Sequence, residues 1–255
     1  MQTDGLKGVW YGVSGCEQEI LHEAAVRHFA LVREGNCLKD DHKRCVSRLD
    51  VGGISFVVKH FKRTPWIPLF SHARRTMACT GMMQGLTPPC VGMLRTRHDG
   101  ELLFFRDCGP GNFYDWSYHD MENLDSLYRE CGLLLADIHN HRLYHADTKP
   151  ANFVVNSLLP QIWRKVLIVD CDHVRSLPHL PLRLRVRNLA QFLGGTGYLG
   201  NRDRWELMNG QFFDGYRERA ELGRIDFDSL LAQVWDNVRN NPRIEVNFDR
   251  LDFEP

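Results

Sequence analysis

The sequence predicts an α+β chain in two parts, a small strand-rich N-terminal portion and a larger helical C-terminal portion. Three observations carry this reading. Lys43 to Asp50 and Ile54 to Phe61 read as strands joined by the hairpin turn Val51-Gly52-Gly53. Gly109-Pro110-Gly111 reads as a linker. Beyond it, Leu124, Leu127, Tyr128, Cys131, Leu134, Leu135 and Ile138 form one apolar helical stripe. The parts are expected to be residues 1–108 and 109–255.

The elements follow in order. Glu17 to Phe29 places Ile20, Leu21, Ala24, Ala25 and Phe29 near helical spacing. Phe29 to Arg33 is apolar enough for a strand, with Gly35-Asn36 as its turn. In the strand 54–61, Ile54, Phe56 and Val58 share one face, and Val57, Lys59 and Phe61 the other. A helix from about Ser71 to Gln84 ends at Gly85, before Pro88-Pro89. Leu102 to Phe105 is a short apolar strand. Asp120 can cap the long helix that runs to about His139. Phe153-Val154-Val155 and Val166 to Val169 read as short buried strands, and the chain is helical from Leu182 to near Val238.

Composition narrows the class. An apolar fraction of 43% and a charged fraction of 25% describe an ordinary globular chain of 255 residues. No apolar run approaches a membrane span, and Met1 to Gly5 shows no secretory pattern, so a cytoplasmic protein is expected. Basic and acidic residues cancel, 32 against 32, which argues against a nucleic-acid binder. The eight cysteines form no Cys-x-x-Cys pair and read as reduced thiols rather than zinc ligands. Charge is nevertheless uneven. Between Val51 and His98 there is no acid, but there are Lys59, Lys62, Arg63, Arg74, Arg75, Arg95 and Arg97. Such a face suits an anionic ligand or an anionic membrane surface, or it pairs with acids elsewhere in the chain. The apolar pentad Trp66 to Phe70, flanked by basic residues, allows peripheral membrane contact or packing on its own lobe.

The chemistry is concentrated in His145-Ala146-Asp147-Thr148-Lys149-Pro150-Ala151-Asn152, with Asp170 closing the strand that follows. Phosphoryl transfer needs a carboxylate on the attacking hydroxyl, oxygen ligands for Mg²⁺ and a cation on the phosphates. Asp147 suits the first role, Asn152 with Asp170 the second, and Lys59 the third. By contrast, Gly195-Thr196-Gly197-Tyr198-Leu199-Gly200 follows a helical stretch and reads as a helix end, not a dinucleotide loop. His139 and His141 read as structural, and Arg183, Arg185 and Arg187 as either acceptor-binding or solvent-facing.

His-x-Asp-x-x-x-x-Asn followed by Asp170 resembles the catalytic loop and metal motif of the protein kinase-like fold, and Phe56-Val57-Val58-Lys59 its nucleotide-gripping strand. More narrowly, residues 145–153, Ile168 to Asp172 and Val58 to Arg63 resemble the lipopolysaccharide core kinases, as do Ser71 to Arg75, Gly85 to Pro89 and Arg187 to Ala190. The resemblance implies a bilobal protein kinase-like fold, with a small strand-rich N-lobe, a larger helical C-lobe, and ATP and Mg²⁺ near a Leu103 to Asn112 hinge. It implies Asp147 as base, Lys149 on the transferred phosphate, Lys59 and Val57 at the nucleotide, and Asn152 and Asp170 on Mg²⁺. His145 would pack beneath the loop. The implied acceptor is a heptose or Kdo of the lipopolysaccharide inner core, or its lipid-linked precursor, at the cytoplasmic membrane face. Other small-molecule or protein hydroxyls, and a non-catalytic adaptor role, remain as alternatives. The chain departs from the pattern in five places, one being Ala146 where many regulated kinases carry the Arg that senses activation-loop phosphorylation, so no such switch is expected. No acid follows Lys59 on the next helix, where Arg75 or Thr76 stands, so either Glu17, Glu19 or Glu23 reaches in, or the lysine works without a glutamate, or the enzyme is impaired. No Gly-rich loop precedes Lys59, leaving Asn36 to Lys43 to cover the phosphates. Asp170-Cys171-Asp172 replaces Asp-Phe-Gly, and Asn188 stands where the family often has Asp.

Overall fold

The computed structural model describes residues 7–63, 71–119, 123–160, 164–196 and 202–240. The chain divides into two compact units, Met1–Cys108 and Gly109–Pro255. Trp66 to Phe70, Asp120 and Gly197 to Gly200 lie outside the described residues.

The first unit is a six-stranded antiparallel sheet with a helix on each face. Its strands are β1 (Gly8–Tyr11), β2 (Lys39–Asp40), β3 (Arg44–Val51), β4 (Ile54–Phe61), β5 (Cys90–Thr96) and β6 (Glu101–Arg106), in the order β1-β5-β6-β4-β3-β2. The β3–β4 turn is set by Gly52 and Gly53, both at positive φ (58° and 75°) between the paired residues Val51 and Ile54. This is the two-residue turn whose twist matches the strands it joins. Helix α1 (Gln18–Glu34) buries Leu21, Ala24 and Ala25 against Leu49, Val51, Phe56, Val58 and Phe104. Helix α2 (His72–Met82) covers the other face through Ala73, beside Phe61, Met93 and Leu103.

Phe29 to Arg33 is not a strand. It is the last turns of α1, which continues to a left-handed Gly35. The amide of Asn36 donates to Leu31 O (2.9 Å) and that of Gly35 to Val32 O (3.3 Å), the paired closure that ends a helix at glycine. The apolar run is therefore a helix stripe. Strand β5 has no clear sequence signature because Gly92 sits within it at a register shift. Leu21 Cδ1 lies 2.9 Å from where a Cβ at Gly92 would stand, so the glycine lets α1 approach the sheet.

A buried polar chain runs between α1 and the sheet. His60 Nε2 faces the Asp99 carbonyl, His60 Nδ1 lies 3.1 Å from His28 Nε2, and His28 Nδ1 lies 2.7 Å from Ser47 Oγ. The carbonyl can only accept, so each proton in the chain has one place: His60 carries Nε2–H, His28 carries Nε2–H, and Ser47 donates. Burial holds both imidazoles neutral, with His28 pushed down to about 3.

The second unit is helical around two short ladders. It contains α3 (Phe113–His119), α4 (Leu124–Asn140), β7 (Leu143–Tyr144), β8 (Phe153–Val155), β9 (Val166–Ile168), β10 (Arg175–Ser176), α5 (Leu182–Thr196), α6 (Arg202–Arg219) and α7 (Phe227–Asn240). The N-cap position of α4 is Asn123 rather than Asp120. Helices α4 and α6 cross closely at two glycines. A Cβ at Gly132 would lie 2.0 Å from Phe212 O, and one at Gly215 would lie 2.2 Å from Arg129 O. The rings of Phe113, Tyr128, Phe153, Phe192 and Phe212 interlock behind β8, with Phe192 and Phe212 stacked at 4.4 Å. Among the described residues no helix is long and apolar enough to cross a membrane.

Two outcomes follow from this packing. Gly132→Ala, with backbone in the way of its methyl, is expected to lose about 1–3 kcal/mol in urea unfolding, because the two helices must move apart. Acid destabilises the fold through its buried histidines. His28 and His139 are both lowered to about 3 by burial, from an ordinary 6.5. Unfolded chains take up these protons first, so stability is complete above pH 6.5 and falls as pH drops toward 3. The steepest loss is about 1.4 kcal/mol per pH unit per histidine, and His28→Gln should flatten it in denaturation measured across that range.

Candidate functional site

The second unit assembles residues 145–152 and Asp170 around β8 and β9. Their antiparallel ladder pairs Phe153 with Ile168. It is extended by Val169 N–H donating to Asn152 O at 2.8 Å. Asn152 and Asp170 therefore leave the same end of the ladder. A single 3₁₀ turn, Pro150–Asn152, lies between Lys149 and β8. Phe153, buried in the aromatic cluster, anchors the turn from behind.

Within the loop, Asn152 Nδ2 donates to Asp147 O at 2.9 Å. A carbonyl can only accept, so the amide's orientation is fixed and its oxygen, Oδ1, faces away from that bond. Asp147 is partly exposed, and its Oδ2 meets Lys149 Nζ at 2.8 Å. Asp170 is exposed and has left-handed backbone, φ 63° and ψ 47°. Strain of this kind in a non-glycine residue tends to cluster at functional positions. Hard oxygens from Asn152 and Asp170 suit Mg²⁺, which takes one or two protein oxygens and completes its shell with water and phosphate. The donor set thus fits the ion that the motif implies.

The loop is held from below by a directional hydrogen-bond relay that the sequence reading did not find. Arg185 Nη1 donates to Tyr216 Oη (3.2 Å), Tyr216 to His139 Nδ1 (2.8 Å), His139 Nε2 to Asn188 Oδ1 (3.2 Å), and Asn188 Nδ2 to His145 O (2.6 Å). A guanidinium only donates and a carbonyl only accepts. The two ends therefore set the His139 tautomer and the Asn188 amide orientation together. His139 and Asn188 are fully buried. Asn188 O also accepts from Thr148 Oγ1 at 2.8 Å, and Gln191 Nε2 donates to Ala146 O at 3.4 Å. His145 is buried beneath the loop, its Nδ1 accepting from Asp147 N at 3.2 Å. Desolvation lowers its pKa and favours the neutral ring.

Arg185 thus resolves one alternative: it faces neither acceptor nor solvent but the buried Tyr216. Gly195, in the apparent Gly-x-Gly-x-x-Gly, sits in the last turn of α5. A Cβ there would meet Pro150 Cδ at 2.4 Å, so this glycine admits the Pro150–Asn152 turn.

In the first unit, Lys59 is half-buried on the α2 face of β4, opposite Val46 on β3 and Leu103 on β6, with Nζ 5.4 Å from the Phe61 ring centroid. Val57 shares that face, opposite Phe105. Helix α2 carries no acid. At the position where one would be sought, the buried Thr76 donates to His72 O at 2.9 Å. The α1 acids do not supply it, because α1 packs on the other side of the sheet, where Glu23 pairs with Arg27. Glu101, buried on the α2 face, instead accepts from Ser71 Oγ at 2.7 Å. Ser71 in turn caps α2 by accepting from Arg74 N at 3.0 Å. The basic stretch is partly neutralised within the unit: Lys62 pairs with Asp40, Arg95 lies 3.8 Å from Glu101, and Arg74 covers the Tyr11 ring.

No protein-family model matches the chain, and no curated protein matches its sequence. Solved structures do match. The structure of WaaP in complex with acyl carrier protein aligns with a TM-score of 0.55 at 17% identity, covering 80% of this chain and 87% of that one. The pseudokinase domain of BIR2, an immune regulator of the RLK/Pelle family, aligns with a TM-score of 0.52 at 12% identity, covering 96% and 85%. The chain therefore has the two-lobed protein kinase-like fold.

Asn188→Asp tests the relay. The new carboxylate cannot donate to His145 O, and two acceptors then face each other in a buried site. The expected loss is about 3 kcal/mol near neutral pH. The gap to wild type should narrow in urea titrations toward pH 4, where a protonated carboxyl can donate again.

Proposed function

We propose that the chain is an ATP- and Mg²⁺-dependent phosphotransferase that moves the γ-phosphoryl group to an alcohol. The observation that carries this is the ordered loop in which one ladder end presents Asn152 and Asp170 while Asn152 also fixes the backbone of Asp147. Asp147 receives the proton of the acceptor hydroxyl. Lys149, which pairs with Asp147, turns to the transferred phosphate. Asn152 and Asp170 hold Mg²⁺, which neutralises phosphate charge when bound. Lys59 grips the phosphates, and Val57 lines the nucleotide side of the same strand face. The acceptor we propose is a heptose, or a Kdo, of the lipopolysaccharide inner core or its lipid-linked precursor. It rests on the resemblance of residues 145–153, 168–172 and 58–63 to the core kinases. The exposed Arg74 and Arg75 on α2 suit an anionic acceptor or anionic lipid beside it.

A second reading has its own support. An α2 without acid, together with the fold likeness to a pseudokinase domain, favours an adaptor that keeps the fold for binding.

Calorimetry with Mg²⁺-ATP separates the two. Wild type is expected to bind, and Lys59→Ala to bind at least about tenfold more weakly, a loss of about 1.4 kcal/mol. Asp170→Gly, which suits the left-handed backbone and so spares the fold, should lose the Mg²⁺-dependent part. Absence of binding by wild type at millimolar nucleotide would sink the enzyme reading in favour of the adaptor.

A further inference from the structure

Cys37 and Cys45 are the paired chemical groups that the proposed function leaves unused. Cys37 follows α1 and is partly exposed, whereas Cys45 on β3 is fully buried. Their sulfurs are 2.9 Å apart, with the Cys45 thiol donating to Cys37 Sγ. That is only about 0.9 Å longer than an S–S bond. The backbone around them is already closed. Leu38 N donates to Val46 O and Asp41 N to Arg44 O, both at 2.8 Å, and Lys39 pairs with Val46. Little movement separates the two thiols from a covalent link.

We infer that Cys37 and Cys45 form a redox modification site, a dithiol that a low-molecular-weight disulfide such as glutathione disulfide converts to an internal disulfide. The Cys37 thiolate attacks one sulfur of glutathione disulfide, forming a mixed disulfide and releasing one glutathione thiolate. Cys45 then loses its proton to solvent and attacks Cys37 Sγ, expelling the second glutathione. Two protein thiols are oxidised and one glutathione disulfide is reduced to two glutathiones.

The order of attack follows from burial. Burial and the neighbouring Cys37 push the Cys45 thiol up to about 12, whereas Cys37 is the sulfur that solvent reaches. Once Cys37 is in the mixed disulfide its share of that shift is gone, and the Lys62 charge favours the Cys45 thiolate. The product ties the start of β3 to the chain leaving α1 and encloses the 38–44 segment. It overlaps Asn36 to Lys43, the stretch that the kinase reading puts in place of a Gly-rich phosphate loop. A consequence for nucleotide binding rests on the kinase reading, but the thiol chemistry does not.

The test treats the whole chain with glutathione disulfide, alkylates the remaining thiols and maps peptides by mass. Wild type should lose the mass of two hydrogens, with the Cys37 and Cys45 peptides linked and dithiothreitol reversing the change. Cys45→Ala should stop at one glutathione on Cys37, and Cys37→Ser should leave Cys45 unmodified. Amide exchange across residues 38–44 should slow by at least about tenfold in the linked form. A wild type that retains glutathione on Cys37, links Cys16 or Cys90 instead, or does not react overturns the site. A correct link with unchanged amide exchange overturns the stiffening. Titrating ATP into both forms asks separately whether the segment lies over a nucleotide, and equal affinities would remove that tie while the redox site stands.

Discussion

The loop from His145 to Asn152 depends on one short hydrogen bond, from Asn188 Nδ2 to the carbonyl of His145 at 2.6 Å. Everything beneath it is arranged so that this amide can only donate upward. Arg185, Tyr216 and His139 pass one polarity along the chain, and each has a single allowed proton position once the ends are fixed. A low-dielectric interior makes such a chain strong when complete and costly when interrupted. Neutral His139 is therefore a structural requirement, and burial supplies it. The loop above it inherits this order through Thr148, Gln191 and the backbone of Asp147.

The same logic appears in the first unit with different residues. Ser47, His28 and His60 form a second one-way chain that ends on the Asp99 carbonyl. Glu101, Ser71 and the first turn of α2 form a third polar anchor. These anchors hold α1 and α2 to opposite faces of one sheet. The acids of α1 are thereby kept away from Lys59, and no acid of α2 replaces them. The chain thus departs from the motif pattern in the helix that covers the Lys59 face, which carries no acid. This is the departure on which the enzyme and adaptor readings divide.

Much of this was legible in the sequence. The hairpin of β3 and β4, the faces of β4, the stripe of α4 and the linker at Gly109 are local patterns, set by side-chain periodicity and turn chemistry. Asp147, Lys149, Asn152 and Asp170 could be singled out from spacing and resemblance, and a short loop with a two-strand ladder brings them near one another. Only the tertiary structure decided what depends on contacts between distant residues. Phe29 to Arg33 is apolar enough for either state, and the left-handed Gly35 with its paired amides made it helix. Gly92 hid β5 because its reason for being glycine is the approach of α1. Arg185 read as a surface charge until Tyr216, 31 residues along, gave it a partner. His139 and Tyr216 carry no local motif, and the directionality they share with Asn188 exists only where α4, α5 and α6 bring a donor-only end and an acceptor-only end into one buried line.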